Sequence, residues 1–463
     1  MPPTPWTGDV VSLVDAFRAG DRTPTEELDA TLAAIDASDL NAVCHIDADA
    51  AHRAAATADT NLPFGGVPLA VKELLGVAGW PAAAGSVPLA DRTFSADSVS
   101  VRRLKAAGAV AAAQTTSSEF GGTNQTTTKL HGATRNPWNP ERTPGGSSGG
   151  SAAGVAGGLF ALATASDGGG SIRIPAGFCG LYGLKSTYGR VPRGPGVILG
   201  NATSVEGSVS RSVRDSARFL DVTNGFDLDD PKSLPRVEGY EAGLGSHAEE
   251  LGSLRVAVVV DLGCATVGPE TSELVAAAAE ELIAITGMRR VEIDLHLPDI
   301  MGAWGLTGTI GNRVTMGDRW PGDAAELTGA MRVGLERSEA HLDLDAMARA
   351  ESRRVDLNNA MATMFRDADI VLAATNPAPA FDAEGWLPST FEGVEAKSSN
   401  NGALTAPSNI YGNPAAALPI GLSSDGLPVS LQVLAPHHRE DLLLDISAAW
   451  ERERPWPLLA TAP

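Results

Sequence analysis

Cysteine is nearly missing from this chain: there are three, Cys44, Cys179 and Cys264. An odd number with no C-x-x-C pair argues against a disulfide framework, a zinc ribbon and a dithiol redox motif. Positive charge is also short, with 35 Lys and Arg against 56 Asp and Glu and a formal net charge of −21. So acidic a chain repels phosphate backbones and anionic membrane faces, and direct nucleic-acid or lipid binding is not expected. No apolar run of roughly 18 residues is free of charges and breakers, which excludes an expected membrane span. The opening MPPTPWTGD has neither the basic nor the apolar region of a secretory leader, and the expected location is cytoplasmic. Histidines number eight, and the later ones (His247, His296, His341, His437, His438) have no distinctive setting.

What is present is ordinary globular material: 43% hydrophobic and 20% charged residues over 463 positions, enough for a large core. Thr23-Pro24-Thr25-Glu26 combines a capping box with Pro at the first helical position, and Leu28, Leu32 and Ile35 follow at helical spacing. VPLAV (67–71) reads as a short buried strand with Lys72 at its end. Residues 98–107 read as a helix closed by Gly108, and 109–113 as the next strand. Further strands are predicted at 254–260, 291–295, 369–375 and 429–434, and helices at 269–285 and 440–452. Strands alternating with helices predict an α/β fold in one large domain, its mixed, mostly parallel sheet covered by helices on both faces. The stretch 296–410 shows no organising pattern.

Two glycine–serine segments stand out: TPGGSSGGSAAG (143–154) and SDGGGSIRIP (166–175). The first is not a linker. RNPWNPERTP (135–144) before it is ordered-loop chemistry, and the small residues of SAAGVAGG (151–158) after it suit a closely packed helix. GGSSG (145–149) formally fits a G-x-S-x-G nucleophile elbow, yet the proline-rich approach is wrong for the strand that motif requires. Neither segment has the G-K-[ST] of a phosphate-binding loop or the third glycine of a dinucleotide fingerprint.

GGSSGGSAAG (145–154) followed by DGGGSIRIPAGFCGLYGLK (167–185) closely resembles the amidase signature family. GVPLAVKE (66–73), TSSEF (116–120), GATRNP (132–137), NPAAALPIG (413–421) and DGLPVSLQV (425–433) match in order, so the resemblance covers most of the chain. It implies a catalytic trio of Lys72, Ser147 and Ser171: Ser171 attacks an amide carbonyl, and Ser147 bridges it to Lys72, which takes the proton and later returns it to the leaving amine. It also implies a cis peptide before Ser147, a supporting role for Ser148, and no metal or cofactor. For Lys72 to serve as base its pKa must fall by roughly 3 units from about 10.4, through burial. Gly168, Gly169 and Gly170 lack side chains, so their N–H groups, with that of Ser171, can close around the oxyanion. Asp167 and Arg173 read as a salt-bridged brace, and Gly121 lies where the family lines the acyl pocket. Two departures are Gly168, where some branches carry Thr or Ile, and Lys185-Ser186-Thr187 in place of Lys-Pro-Thr.

The expected activity is hydrolysis of a small-molecule linear amide to an acid plus ammonia or an amine. The rival is the A subunit of a tRNA-dependent amidotransferase, releasing ammonia from glutamine for a partner. The expected organisation is an N-terminal helical segment (1–65), a signature core (66–215) and a variable substrate-pocket region (296–410). Apart from substrate no partner is implied, and a homodimer is left open.

Overall fold

The computed structural model describes residues 4–196 and 202–461. Among the described residues eleven strands form one sheet: β1 (Val43–Ile46), β2 (Pro68–Lys72), β3 (Val110–Thr115), β4 (Leu162–Asp167), β5 (Tyr182–Lys185), β6 (Val205–Ser210), β7 (Arg255–Val258), β8 (Arg289–Arg290), β9 (Ile370–Ala374), β10 (Ala415–Leu422) and β11 (Pro428–Leu434). Their spatial order is β1-β3-β2-β4-β6-β5-β10-β11-β9-β7-β8. Every residue of β2, β9 and β11 is buried, so side chains on both faces of the sheet are covered.

The sheet is mixed, as expected, but its balance differs from the sequence reading. Four of its ten strand pairs are parallel and six antiparallel. Parallel pairing is confined to β3-β2-β4 and β9-β7-β8, where helices cross between strands. The centre is antiparallel because β10 and β11 join through a short turn and β6 returns beside β4. The strand predicted at 291–295 is displaced to Arg289–Arg290, and only the Val291 N–H continues the ladder, to the Val256 carbonyl at 2.8 Å.

Local signals explain the element ends. Thr23 and Glu26 form the capping box of the Pro24–Asp36 helix, and Pro269 opens and left-handed Gly287 closes the Pro269–Thr286 helix. The 296–410 stretch contains three long helices, Met301–Met316, Gly329–His341 and Leu344–Asp367. The largest apolar cluster joins β9, β10 and β11 to the Pro269–Thr286 and Glu440–Glu453 helices, and an alanine-rich one packs the Gly149–Ala156 helix beneath β4. Among the described residues no helix is long and apolar enough to cross a membrane.

Candidate active site

Lys72 is the last residue of β2 and fully buried, its side chain held where strand ends and glycine-rich loops converge. Its Nζ donates to Ser147 Oγ at 2.8 Å, Ser148 Oγ at 2.8 Å and Ser166 Oγ at 3.0 Å. Three hydroxyls satisfy an ammonium but do not neutralise it. Burial pushes Lys72 down to about 7, against the attraction of the Asp167, Glu73 and Glu206 carboxylates. An amine titrating there can accept a proton from a hydroxyl it already touches. The Gly146–Ser147 peptide is cis. Ser148 Oγ accepts from Lys72 and the Ser166 N–H and donates to the Ser166 carbonyl, tying the serine turn to β4.

Beyond β4 the chain turns through Gly168, Gly169, Gly170 and Ser171 into the Arg173–Cys179 helix. Each carbonyl of the glycine run is occupied: Gly168 accepts from Trp304 Nε1 at 2.8 Å, Gly169 from Thr405 Oγ1 at 2.6 Å, and Gly170 from the Ile174 N–H at 2.7 Å. Because these peptides are trans, each bond directs the following N–H the opposite way. The Gly170 N–H is spent on Asp167 Oδ1 at 2.6 Å. This differs from the sequence reading, in which it served an oxyanion: the carboxylate that fixes the loop takes it. The N–H groups of Gly168, Gly169 and Ser171 bond to no described residue. A Cβ on Gly169 would fall 2.7 Å from the Trp304 ring, and Gly170 adopts φ +133°, so both positions require glycine. Ser171 is half-buried, and its hydroxyl bonds to no described residue, Ser147 included.

The brace is elaborate. Arg173 pairs with Asp167 at 3.0 Å with both side chains wholly buried, and also reaches Gln432 on β11 at 2.6 Å and Asn409 at 2.7 Å. Asn409 in turn donates to the Asp167 carbonyl and carboxylate. Burial alone would raise the Asp167 carboxyl; Arg173, Lys185 and Asn409 together hold it well below the usual carboxylate range.

Residues 26–444 match the family model named Amidase. The chain belongs to the amidase family. It is 31% identical over 458 residues to an acylamidase of Rhodococcus erythropolis, covering 94% of this chain and 93% of that one. It is 32% identical over 466 residues to the A subunit of the glutamyl-tRNA(Gln) amidotransferase of Akkermansia muciniphila, covering 94% and 97%. The crystal structure of a bacterial aryl acylamidase of the amidase signature family superposes with a TM-score of 0.91 at 27% identity, covering 99% of both chains. The chain is therefore an amidase signature enzyme, of a family that hydrolyses amides.

In this amidase the fold adds residues whose sequence setting carried little signal. Ser166 touches Lys72, Trp304 and Thr405 touch the glycine loop and Asn409 touches its Asp167–Arg173 brace, yet the last three come from a region with no readable pattern. Only Ser166, next to the DGGGS run, was close enough in sequence to suspect. Gly121 is brought to the site: a Cβ there would lie 3.3 Å from Ser147 Oγ and 3.0 Å from Leu74. Cys44, Glu73 and His131 also converge, with one ligating atom of each within 4.8 Å of the others, a grouping that could hold a metal. The Glu73 carboxylate already accepts from the Gly85 and Ser117 N–H groups, the Ser117 hydroxyl and His131, which makes it a strut beneath Lys72.

Proposed function

We propose that this amidase hydrolyses a small-molecule linear carboxylic amide to an acid plus ammonia or an amine, through an acyl-enzyme on Ser171. The observation that carries this reading is the fully buried Lys72 amine 2.8 Å from Ser147 Oγ, whose burial pushes it down to about 7. Neutral Lys72 draws the Ser147 proton, and Ser147 draws that of Ser171 as the Ser171 hydroxyl, which bonds to no described residue, swings onto the substrate carbonyl. The Gly169 and Ser171 N–H groups receive the oxyanion. Collapse of the adduct breaks the C–N bond, and the leaving amine takes the proton held on Lys72 by way of Ser147. Water then attacks the ester, regenerating Ser171 and releasing the acid.

The test is a screen of aliphatic, aromatic, carbamoyl and amino-acid amides with product detection, followed by a pH profile. Lys72 works in its deprotonated form, so kcat/KM should rise with pH through an ionisation near 7. A rate falling over that range would overturn the assignment of Lys72 as base. The similarity to a glutamyl-tRNA(Gln) amidotransferase chain supports a second reading, in which the amide is glutamine and the ammonia passes to a partner. Glutamine turnover that appears only on adding a second protein would favour it.

A further inference from the structure

Three buried carboxylates lie close enough to Lys72 to favour its charged form: Glu73 on its own chain segment, Asp167 at the end of β4, and Glu206 on β6. Two of them have other partners. Asp167 is neutralised by Arg173 at 3.0 Å, and Glu73 faces His131 at 3.1 Å. Glu206 is 7% exposed and forms no ion pair with any described residue.

Its position is set by the sheet. Glu206 stands directly opposite Ser166 in the antiparallel register of β4 and β6, so the two side chains share one face. Ser166 Oγ is the same hydroxyl that accepts from Lys72 Nζ at 3.0 Å. On the far side Ser100, from the Val99–Ala106 helix, donates its hydroxyl to Glu206 Oε2 at 2.5 Å. A buried carboxylate needs an opposite charge nearby. The charged groups facing this one are Arg193 and Asp230, from flanking loops, and Lys72. Arg193 is the stronger of the two attracting cations and Asp230 works against it, while Lys72 adds its attraction across Ser166.

We propose that Glu206 is a positioning residue for Lys72: from across Ser166, which the lysine touches, its carboxylate favours the ammonium between turnovers and so sets the pH above which the free amine is available. Burial pushes the Glu206 carboxyl up from the ordinary range, while the Ser100 hydroxyl, Arg193 and Lys72 draw it back toward ionisation. The carboxylate favours protonated Lys72, so it works against the burial that frees the amine. The balance places the lysine near neutrality and no lower. This inference rests on Lys72 being the base.

The experiment is a kcat/KM profile from pH 5 to 10 on a responsive amide, for the wild type, Glu206→Gln and Ser100→Ala. Glu206→Gln keeps shape and a hydrogen-bond acceptor but loses the charge. Its acidic limb should move down by about one pH unit with the high-pH plateau near wild type. Ser100→Ala weakens the carboxylate form and should move the limb the same way by less. An unmoved limb in Glu206→Gln, or a uniform loss of rate at every pH, would overturn the proposal and leave Glu206 a packing residue. Should Glu206→Gln fail to fold, an unmoved limb in Ser100→Ala would overturn it instead. Failure of the parent reading looks different: the wild type itself would then lack the limb, or Lys72→Arg would keep its activity.

Discussion

The glycines of two helices show how differently two regions of this amidase are built. In the Gly149–Ala156 helix, behind the serine turn, all eight residues are buried, and a Cβ on Gly149, Gly150 or Gly154 would run into Thr126, Thr116 or the Phe160 ring. In the Met301–Met316 helix only Ala303 and Met316 are buried, and a Cβ on Gly302, Gly305 or Gly308 would meet nothing within 4 Å. The first region has small residues because backbone must approach backbone. The second has them without any such demand. The contrast extends to polar groups: around Lys72 and Asp167 they are buried and paired, whereas the 296–410 cover reaches the glycine loop chiefly through Trp304 and, just beside it, Thr405. The core thus fixes the chemistry, and the cover is free to vary around it.

The largest effects are expected at the trio. Ser171→Ala should remove turnover by several orders of magnitude while leaving the fold intact, and a fluorophosphonate adduct should map to Ser171 by mass spectrometry. An adduct on Ser147 would reassign the nucleophile. Lys72→Arg should be nearly as damaging as Lys72→Ala, because a guanidinium stays protonated and cannot accept the Ser147 proton. Near-normal turnover in Lys72→Arg would make the lysine a scaffold residue.

Next comes the packing of the core itself. Gly154→Ala should cost about 2–3 kcal/mol, read as a lowered denaturant midpoint, because the buried Phe160 ring must be displaced. An unchanged midpoint would mean that this layer is looser than its burial indicates.

Much of this contrast was legible in the sequence. The serine and glycine runs, Lys72 at the end of an apolar strand, and the Asp167–Arg173 pair could be read because strong local patterns encode them. β4 and β10 passed unread because LATASD and AAALPIGL are rich in alanine and small residues, which carry little strand preference. β5 and β6 are short, glycine-containing and held by their neighbours in the sheet. Trp304, Thr405 and Asn409 act through long-range contacts, and nothing local to them points at Gly168, Gly169 or Asp167. The partner of the Gly170 N–H was not legible for a related reason: it bonds to a side chain only three residues back, a turn geometry that composition does not reveal.

A smaller effect tests the link between the two regions. Trp304→Phe keeps an aromatic ring against Gly169 but removes the indole donor to the Gly168 carbonyl. Loss of one hydrogen bond of about 1 kcal/mol should lower kcat by roughly five-fold across all substrates, with KM less affected. A change in substrate ranking, with kcat preserved, would place Trp304 in the substrate pocket rather than behind the loop.

The smallest effect has the opposite sign and probes the cover alone. Gly308 lies inside the Met301–Met316 helix, where glycine costs about 0.5–1 kcal/mol relative to alanine through the freedom it retains in the unfolded chain. Its φ is not in the left-handed region, and a methyl group there meets no atom within 4 Å. Gly308→Ala should therefore stabilise by about 0.5–1 kcal/mol, read as a small rise in Tm, with kcat/KM unchanged. The same substitution that harms the core at Gly154 would then help the cover at Gly308. A fall in Tm at Gly308 would show that this helix face is packed after all, and the distinction between a close-packed catalytic core and a permissive cover would fail at its clearest point.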